Sequence, residues 1–199
     1  MKLKTKLFGK SYNFKSVKSL LAKANEEKSG DELLKIAAEN AKERAAAKVV
    51  LANLSLADLR NNPVLSPEED EVSRVIDSMV NESIYSEIKN WTVSDLREYI
   101  LSHQTTNNDI QRVSRALTAE MVAAVAKIMS NMDLVYAARK INVSAKANTR
   151  IGLPGTLAFR LQPNHPTDDL DGIRASIMEG LSYGSGDAVI GINPVNDSV

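Results

Sequence analysis

Arg160 and Gln162 lie two residues apart in the run Leu157-Ala-Phe-Arg-Leu-Gln162, and Asn193 closes the run Asp187-Ala-Val-Ile-Gly-Ile-Asn193. Side chains two apart on a strand share a face, so Arg160 and Gln162 belong together. Arg160 supplies a fixed positive charge and several donors, while Gln162 and Asn193 each supply a donor and an acceptor. Such a trio suits a small polar molecule with hydroxyl or amine groups. Parallel α/β folds bind ligands at the carboxyl ends of their strands, and both runs end there. A guanidinium in that setting is costly unless it meets a partner. The competing reading pairs Arg160 with a structural carboxylate and leaves Gln162 to cap the next turn. Spacing alone leaves both open, with the structural reading slightly ahead.

Other chemistries have less support. The 199 residues include no cysteine, so thiolate zinc, iron–sulfur and Cys-nucleophile chemistry are excluded from this chain alone. His103 and His165 are the two histidines, too few for a multi-His metal site, and each reads as a solvated or capping residue in a loop. Gly152-Leu-Pro-Gly155 lacks the Lys-Ser/Thr ending and the following helix of a phosphate cradle. The acid run Glu68-Glu-Asp-Glu71 reads as a solvated helix start. Trp91 beside Thr92 reads as an anchor for a helix junction. The 25 basic and 25 acidic side chains cancel, leaving no basic excess to displace counterions from nucleic acid. The most apolar stretch, from Met121, meets Lys127 far short of a membrane span. No apolar segment follows the basic start to make a secretory signal. A soluble, intracellular protein is the default expectation.

The elements that must hold the trio follow from pattern. Leu3, Thr5, Leu7, Tyr12 and Phe14 around Gly9 predict a short hairpin. Val17, Leu20, Leu21 and Ala24 keep helical spacing. Ser29 and Glu32 predict a capping box opening a helix to about Asn53, with the stripe Leu34, Ala38, Ala41, Ala45 and Ala52. Ser55 caps a short helix ending at Asn61-Asn62-Pro63. Ser66-Pro67-Glu68-Glu69 predicts the start of a helix burying Val72, Val75, Ile76, Met79 and Val80. Thr92 with Asp95 opens another, and Ser130 with Asp133 one more to about Ile141; Gln104 to Asn108 reads as a loop between. Near residue 144 the texture changes to Gly, Pro and Thr. Two apolar runs, 156–162 and 187–193, flank a helix that Thr167 caps, that buries Leu170, Ile173, Ile177 and Leu181, and that stops at Gly184. Strand, helix, strand in this order is one βαβ unit. Two parallel strands need further partners, so the fold is expected to continue past this unit. The expected boundaries are a mainly helical region, 1–145, and the start of a parallel α/β domain, 146–199.

Several blocks carry a resemblance. Leu59-Arg-Asn-Asn-Pro-Val64, Ile88-Lys-Asn-Trp91, Leu96-Arg-Glu-Tyr99, Leu117-Thr-Ala-Glu120 and Ala123-Ala-Val-Ala-Lys-Ile128 resemble the large subunit of ethanolamine ammonia-lyase. So do Lys146-Ala-Asn-Thr149, Ile151-Gly-Leu-Pro-Gly-Thr156, Arg160-Leu-Gln-Pro-Asn164, Glu179-Gly-Leu-Ser182 and, most specifically, Gly186-Asp-Ala-Val-Ile-Gly-Ile-Asn-Pro-Val195. The likeness is collinear over the whole chain but covers less than half of the family's large subunit. It implies an α/β enzyme by family, mainly α in this chain, with a helical region followed by the first βαβ unit of a (β/α)8 TIM barrel. It implies an adenosylcobalamin-dependent lyase that converts ethanolamine to acetaldehyde and ammonia through an adenosyl radical and a rearranging substrate radical. It implies a small-subunit partner, a homo-oligomer of large subunits, no nucleic acid or membrane, and a cytoplasmic setting extending to a bacterial microcompartment. By matching motif, Arg160, Gln162 and Asn193 would contact substrate, with Arg160 catalytic, and Pro194 would lie against the cobalamin. This reverses the preference for the structural reading of Arg160. The family's acidic groups for the substrate ammonium come from later strands, so this chain alone is expected to be inactive. The rival expectation is a helical assembly or interaction module without catalysis.

Overall fold

The computed structural model describes residues 1–66, 68–146, 150–186 and 189–193. Its contacts divide the chain into two units, residues 1–141 and 142–199.

The first unit opens with the antiparallel hairpin β1 (Lys4–Leu7) and β2 (Lys10–Asn13), joined through Phe8 and Gly9. Nine of its helices then lead to α10 (Asn131–Lys140): α1 (Val17–Lys23), α2 (Ser29–Leu33), α3 (Ala41–Ala52), α4 (Leu56–Arg60), α5 (Glu71–Ser78), α6 (Glu82–Ile88), α7 (Val93–Leu101), α8 (Asn107–Ser114) and α9 (Ala119–Ile128). α3 is central and packs against α1, α7, α9 and β1. Leu20, Leu51, Leu56, Leu59, Leu96 and Met121 are fully enclosed in the core between these elements. Four helices, α4, α7, α8 and α10, start on capping boxes, with Ser55/Asp58, Thr92/Asp95, Thr106/Asp109 and Ser130/Asp133 exchanging hydrogen bonds. Each satisfies N–H groups that a helix start otherwise leaves open. The caps of α4 and α7 also meet: Leu56 N–H donates to Trp91 O at 2.8 Å and Val93 N–H to Leu54 O at 2.9 Å. Trp91 packs on Tyr99 with ring centroids 5.0 Å apart, so it anchors this junction.

Several sequence expectations are corrected here. The single helix expected over 29–53 is two. Lys35 adopts φ 56°, Ile36 N–H reaches Asp31 O and Lys35 N–H reaches Glu32 O, both at 3.0 Å. That is the Schellman arrangement that ends a helix, and Ser29 makes no side-chain cap. The long helix restarts at Ala41 under Asn40. Its buried stripe is Ala46, Ala47, Val50 and Leu51, while Leu34 is 72% exposed. The helix expected from Ser66 starts at Glu71, because the Asp70 carboxylate accepts from Ser73 N–H at 3.0 Å; Pro67 lies outside the described residues. Of its expected buried face, Val72, Val75 and Met79 are exposed, and only Val80, past the helix end, is buried. Thr106 turns the expected loop 104–108 into the start of α8, and α6, capped by Asn81, joins the expected set.

The second unit is short in strand and contains one long helix. A small antiparallel pair, β3 (Ala145–Lys146) and β4 (Arg150–Ile151), precedes β5 (Arg160–Leu161), α11 (Leu170–Ser182) and β6 (Val189–Ile190). β5 and β6 pair in parallel, Arg160 with Val189 and Leu161 with Ile190. The order strand, helix, parallel strand is therefore present, with strands shorter than the expected 156–162 and 187–193. Asp169, not Thr167, caps α11, accepting from Gly172 N–H at 2.7 Å. The helix ends where Gly184, at φ 75°, lets Ser185 N–H return to Gly180 O at 3.0 Å. Leu161 of β5 seats on Gly180, the buried residue of α11. The expected buried face of α11 is corrected too: Leu170 is 77% exposed and Leu181 is also exposed. Nothing among the described residues of this unit covers it.

Candidate functional site

β5 places Arg160 on its first residue, and the period of two carries Gln162 to the same face just past the strand. The Arg160 guanidinium donates to the Gln162 side-chain oxygen, which links the two side chains. No carboxylate among the described residues forms an ion pair with Arg160. The parallel register extends past the strands: Gly191 N–H donates to Leu161 O at 2.9 Å. The next link is made by a side chain, since Asn193 N–H donates to Asn164 Oδ1 at 3.3 Å. Asn193 is thereby tied beside the carboxyl end of β5, on the alternation that already holds Val189 and Gly191 opposite Arg160 and Gln162. Arg160, Gln162 and Asn193 are all solvent-exposed or at the open strand ends. Pro194 lies outside the described residues.

Among the described residues, the arrangement offers a fixed cation and two amides. These groups can bind and orient a small hydroxyl- or amine-bearing molecule and stabilise negative charge developing on an oxygen. The described residues contain no cluster of His, Cys, Asp and Glu able to hold a metal ion. Two residues were missed by sequence reasoning at this face. Asn164 continues the spacing 160, 162, 164, and Gly191 breaks an otherwise apolar run just past β6, which is a signal of close approach. The histidines act locally: His165 Nδ1 accepts from Asp169 N–H at 3.3 Å ahead of α11, and His103 Nδ1 meets the Tyr136 hydroxyl at 3.0 Å.

Elsewhere, electrostatics serve the scaffold. Arg97 bridges α7 to α10 through Asp133 at 2.7 Å, and this guanidinium holds the Asp133 carboxyl below its ordinary range. The Thr92 N–H and hydroxyl do the same for Asp95, and the Thr106 hydroxyl and N–H for Asp109. Arg60 takes Asp77 at 2.7 Å and Glu82 at 2.6 Å while lying over the Tyr85 ring. Burial pushes the Lys127 ammonium down. No helix among the described residues is long and apolar enough to cross a membrane.

A helical unit is followed by a β–α–β unit, with a guanidinium and amides at its strand ends. The family model "Ethanolamine ammonia lyase large subunit (EutB)" matches residues 12–199. The ethanolamine ammonia-lyase large subunits of Escherichia coli K12 and Salmonella typhimurium LT2 are each 58% identical over all 199 residues. The chain therefore belongs to the ethanolamine ammonia-lyase large subunit family. It spans 44% of the length of those relatives, as their N-terminal portion.

Proposed function

We propose that the chain contributes the amino-terminal part of the large subunit of an ethanolamine ammonia-lyase, and that Arg160, Gln162 and Asn193 form its share of the substrate site. The observation that carries this reading is the Arg160–Gln162 pair on one face at β5, with no carboxylate among the described residues paired to the guanidinium, in a chain whose family is named for action on a small amino alcohol. In this reading 1–145 is the helical region, and 146–199 opens a (β/α)8 barrel with β5, α11 and β6 as its first βαβ unit. The small subunit, a homo-oligomer of large subunits, and a cytoplasmic or microcompartment setting belong to the same reading.

Arg160 donates to the hydroxyl oxygen of ethanolamine and holds positive charge where negative charge grows as the substrate rearranges. A guanidinium keeps its proton throughout, so it steadies that oxygen without becoming an acid. Gln162 fixes the plane of the guanidinium and offers its own amide N–H; Asn193 adds a donor and an acceptor from the neighbouring strand end. The donor set would suit a small polar substrate held beside the cobalamin, because it presents a guanidinium and amides for hydrogen bonding. Pro194 is the residue of this chain that would lie against the cofactor. When bound, adenosylcobalamin supplies the radical that removes hydrogen from the substrate.

A second reading, a helical assembly module without catalysis, draws on the exposed Val72, Val75 and Met79 of α5. The test is acetaldehyde production by the intact large subunit with its small subunit and adenosylcobalamin. Turnover of ethanolamine that collapses in Arg160→Ala supports the enzyme reading; no turnover in a cofactor-loaded parent favours the assembly module.

A further inference from the structure

We infer that Gly191 is a positioning residue for Arg160, and through it for the substrate oxygen; this rests on the reading that Arg160 holds that oxygen. A Cβ at residue 191 would stand 3.3 Å from Arg160 Cδ, 3.4 Å from Nε and 3.6 Å from Cζ. Three successive atoms at nearly equal range mean that the arginine lies flat along residue 191, from its last methylene to the centre of the guanidinium. The shelf is rigid. Arg160 pairs with Val189 and Leu161 with Ile190, and the Gly191 N–H makes the next link to Leu161 O at 2.9 Å.

A side chain at 191 therefore cannot be accommodated by sliding the strand without breaking that link. The guanidinium must lift instead, by a few tenths of an ångström for a methyl group and by more for a branched side chain. Its bond to Gln162 Oε1 comes from the same fork, so lifting also misaligns the pair. Glycine weakens a strand interior, and close approach of another group is the usual reason it is kept there. Here the approaching group is the one cation of the face. Small displacements of an orienting group have large effects on rate when the reacting geometry is narrow.

The experiment uses the intact large subunit with its small subunit and adenosylcobalamin, and compares Gly191→Ala, Gly191→Val, Arg160→Ala and the double variant Gly191→Ala/Arg160→Ala. Enzyme concentration is raised to bring slow variants into range. The expected result is a loss in kcat/KM for ethanolamine of about fivefold for Gly191→Ala, a loss above about tenfold for Gly191→Val, and unchanged melting temperature and cofactor affinity in Gly191→Ala. In the Arg160→Ala background, Gly191→Ala should cost nothing further, because the side chain it steers is gone. Parental kinetics in Gly191→Ala, beside a crippled Arg160→Ala, overturns this inference alone. So does an equal additional loss in the double variant, which would mark residue 191 as generally structural. Parental turnover in Arg160→Ala overturns the site reading itself, and this inference with it.

Discussion

The Arg160–Gln162 pair has a clear kinetic signature. Arg160→Ala in the intact enzyme should lower kcat/KM for ethanolamine by roughly 10²–10³, the usual cost of removing one preorganised donor aimed at developing charge. Arg160→Lys keeps the charge but loses the planar fork that engages Gln162, and should fall between Ala and the parent. Asn193→Ala should raise KM with a cost of about 1–3 kcal/mol, since Asn193 joins the face from the other strand. Steady-state kinetics on the three variants reads all of this, and an Arg160→Ala that turns over like the parent would make the residue structural. Period-two spacing put Arg160 and Gln162 on one face, but spacing alone left their structural reading slightly ahead, and only the family resemblance favoured substrate contact. The sequence could not show that the guanidinium lies along Gly191, or that Asn164 ties down Asn193, because both are contacts between segments about thirty residues apart.

At the scale of elements, capping chemistry was legible in part: Ser29, Ser66 and Thr167 do not cap the helices expected of them. Ser55, Thr92 and Ser130 open helices where their three-residue spacing to aspartate predicts. Thr92→Ala should therefore destabilise the chain by about 1 kcal/mol in urea unfolding followed by circular dichroism. The same aspartates set an acid limit. Asp95, Asp109 and Asp133 are held below their ordinary range in the folded state, so their contribution is complete above the unfolded carboxyl value of about 3.9. It is lost as pH falls through the lower folded values. Thermal stability of the helical signal should be flat down to about pH 5 and drop below about pH 4. Asp95→Asn should flatten part of that drop, and an unaltered profile would show that the caps do not set it. Helix ends were less legible where the backbone itself decides. The break at Lys35 depends on a left-handed residue that no side-chain pattern announces, and the helix after Ser66 is capped instead by Asp70, four residues on. Amphipathic pattern also misled at α5 and α11, whose apolar faces are present but uncovered. Periodicity reports that a face is apolar; it does not report which partner meets it.

Across the whole molecule, the two units differ in how completely they close. Every buried residue of the main hydrophobic cluster lies between Tyr12 and Ala137. In the second unit Leu157, Phe159, Leu170, Met178 and Tyr183 are exposed. A 199-residue chain produced alone should accordingly show strong amide protection in α3, α7 and α9 and weak protection over residues 189–193, with self-association or dye binding through the apolar surface of the second unit. Strong protection of 189–193 in a monodisperse monomer would contradict this. The asymmetry also bears on the order of synthesis. A helical unit with mostly short-range packing can collapse as soon as residue 141 clears the ribosomal exit tunnel. The parallel pair of the second unit joins residues about thirty apart, so it must wait until residue 190 is translated. The helical unit would then be folded while β5 was still unpaired, and the interval between the two events would set how long β5 stands open to chaperones or to misassembly.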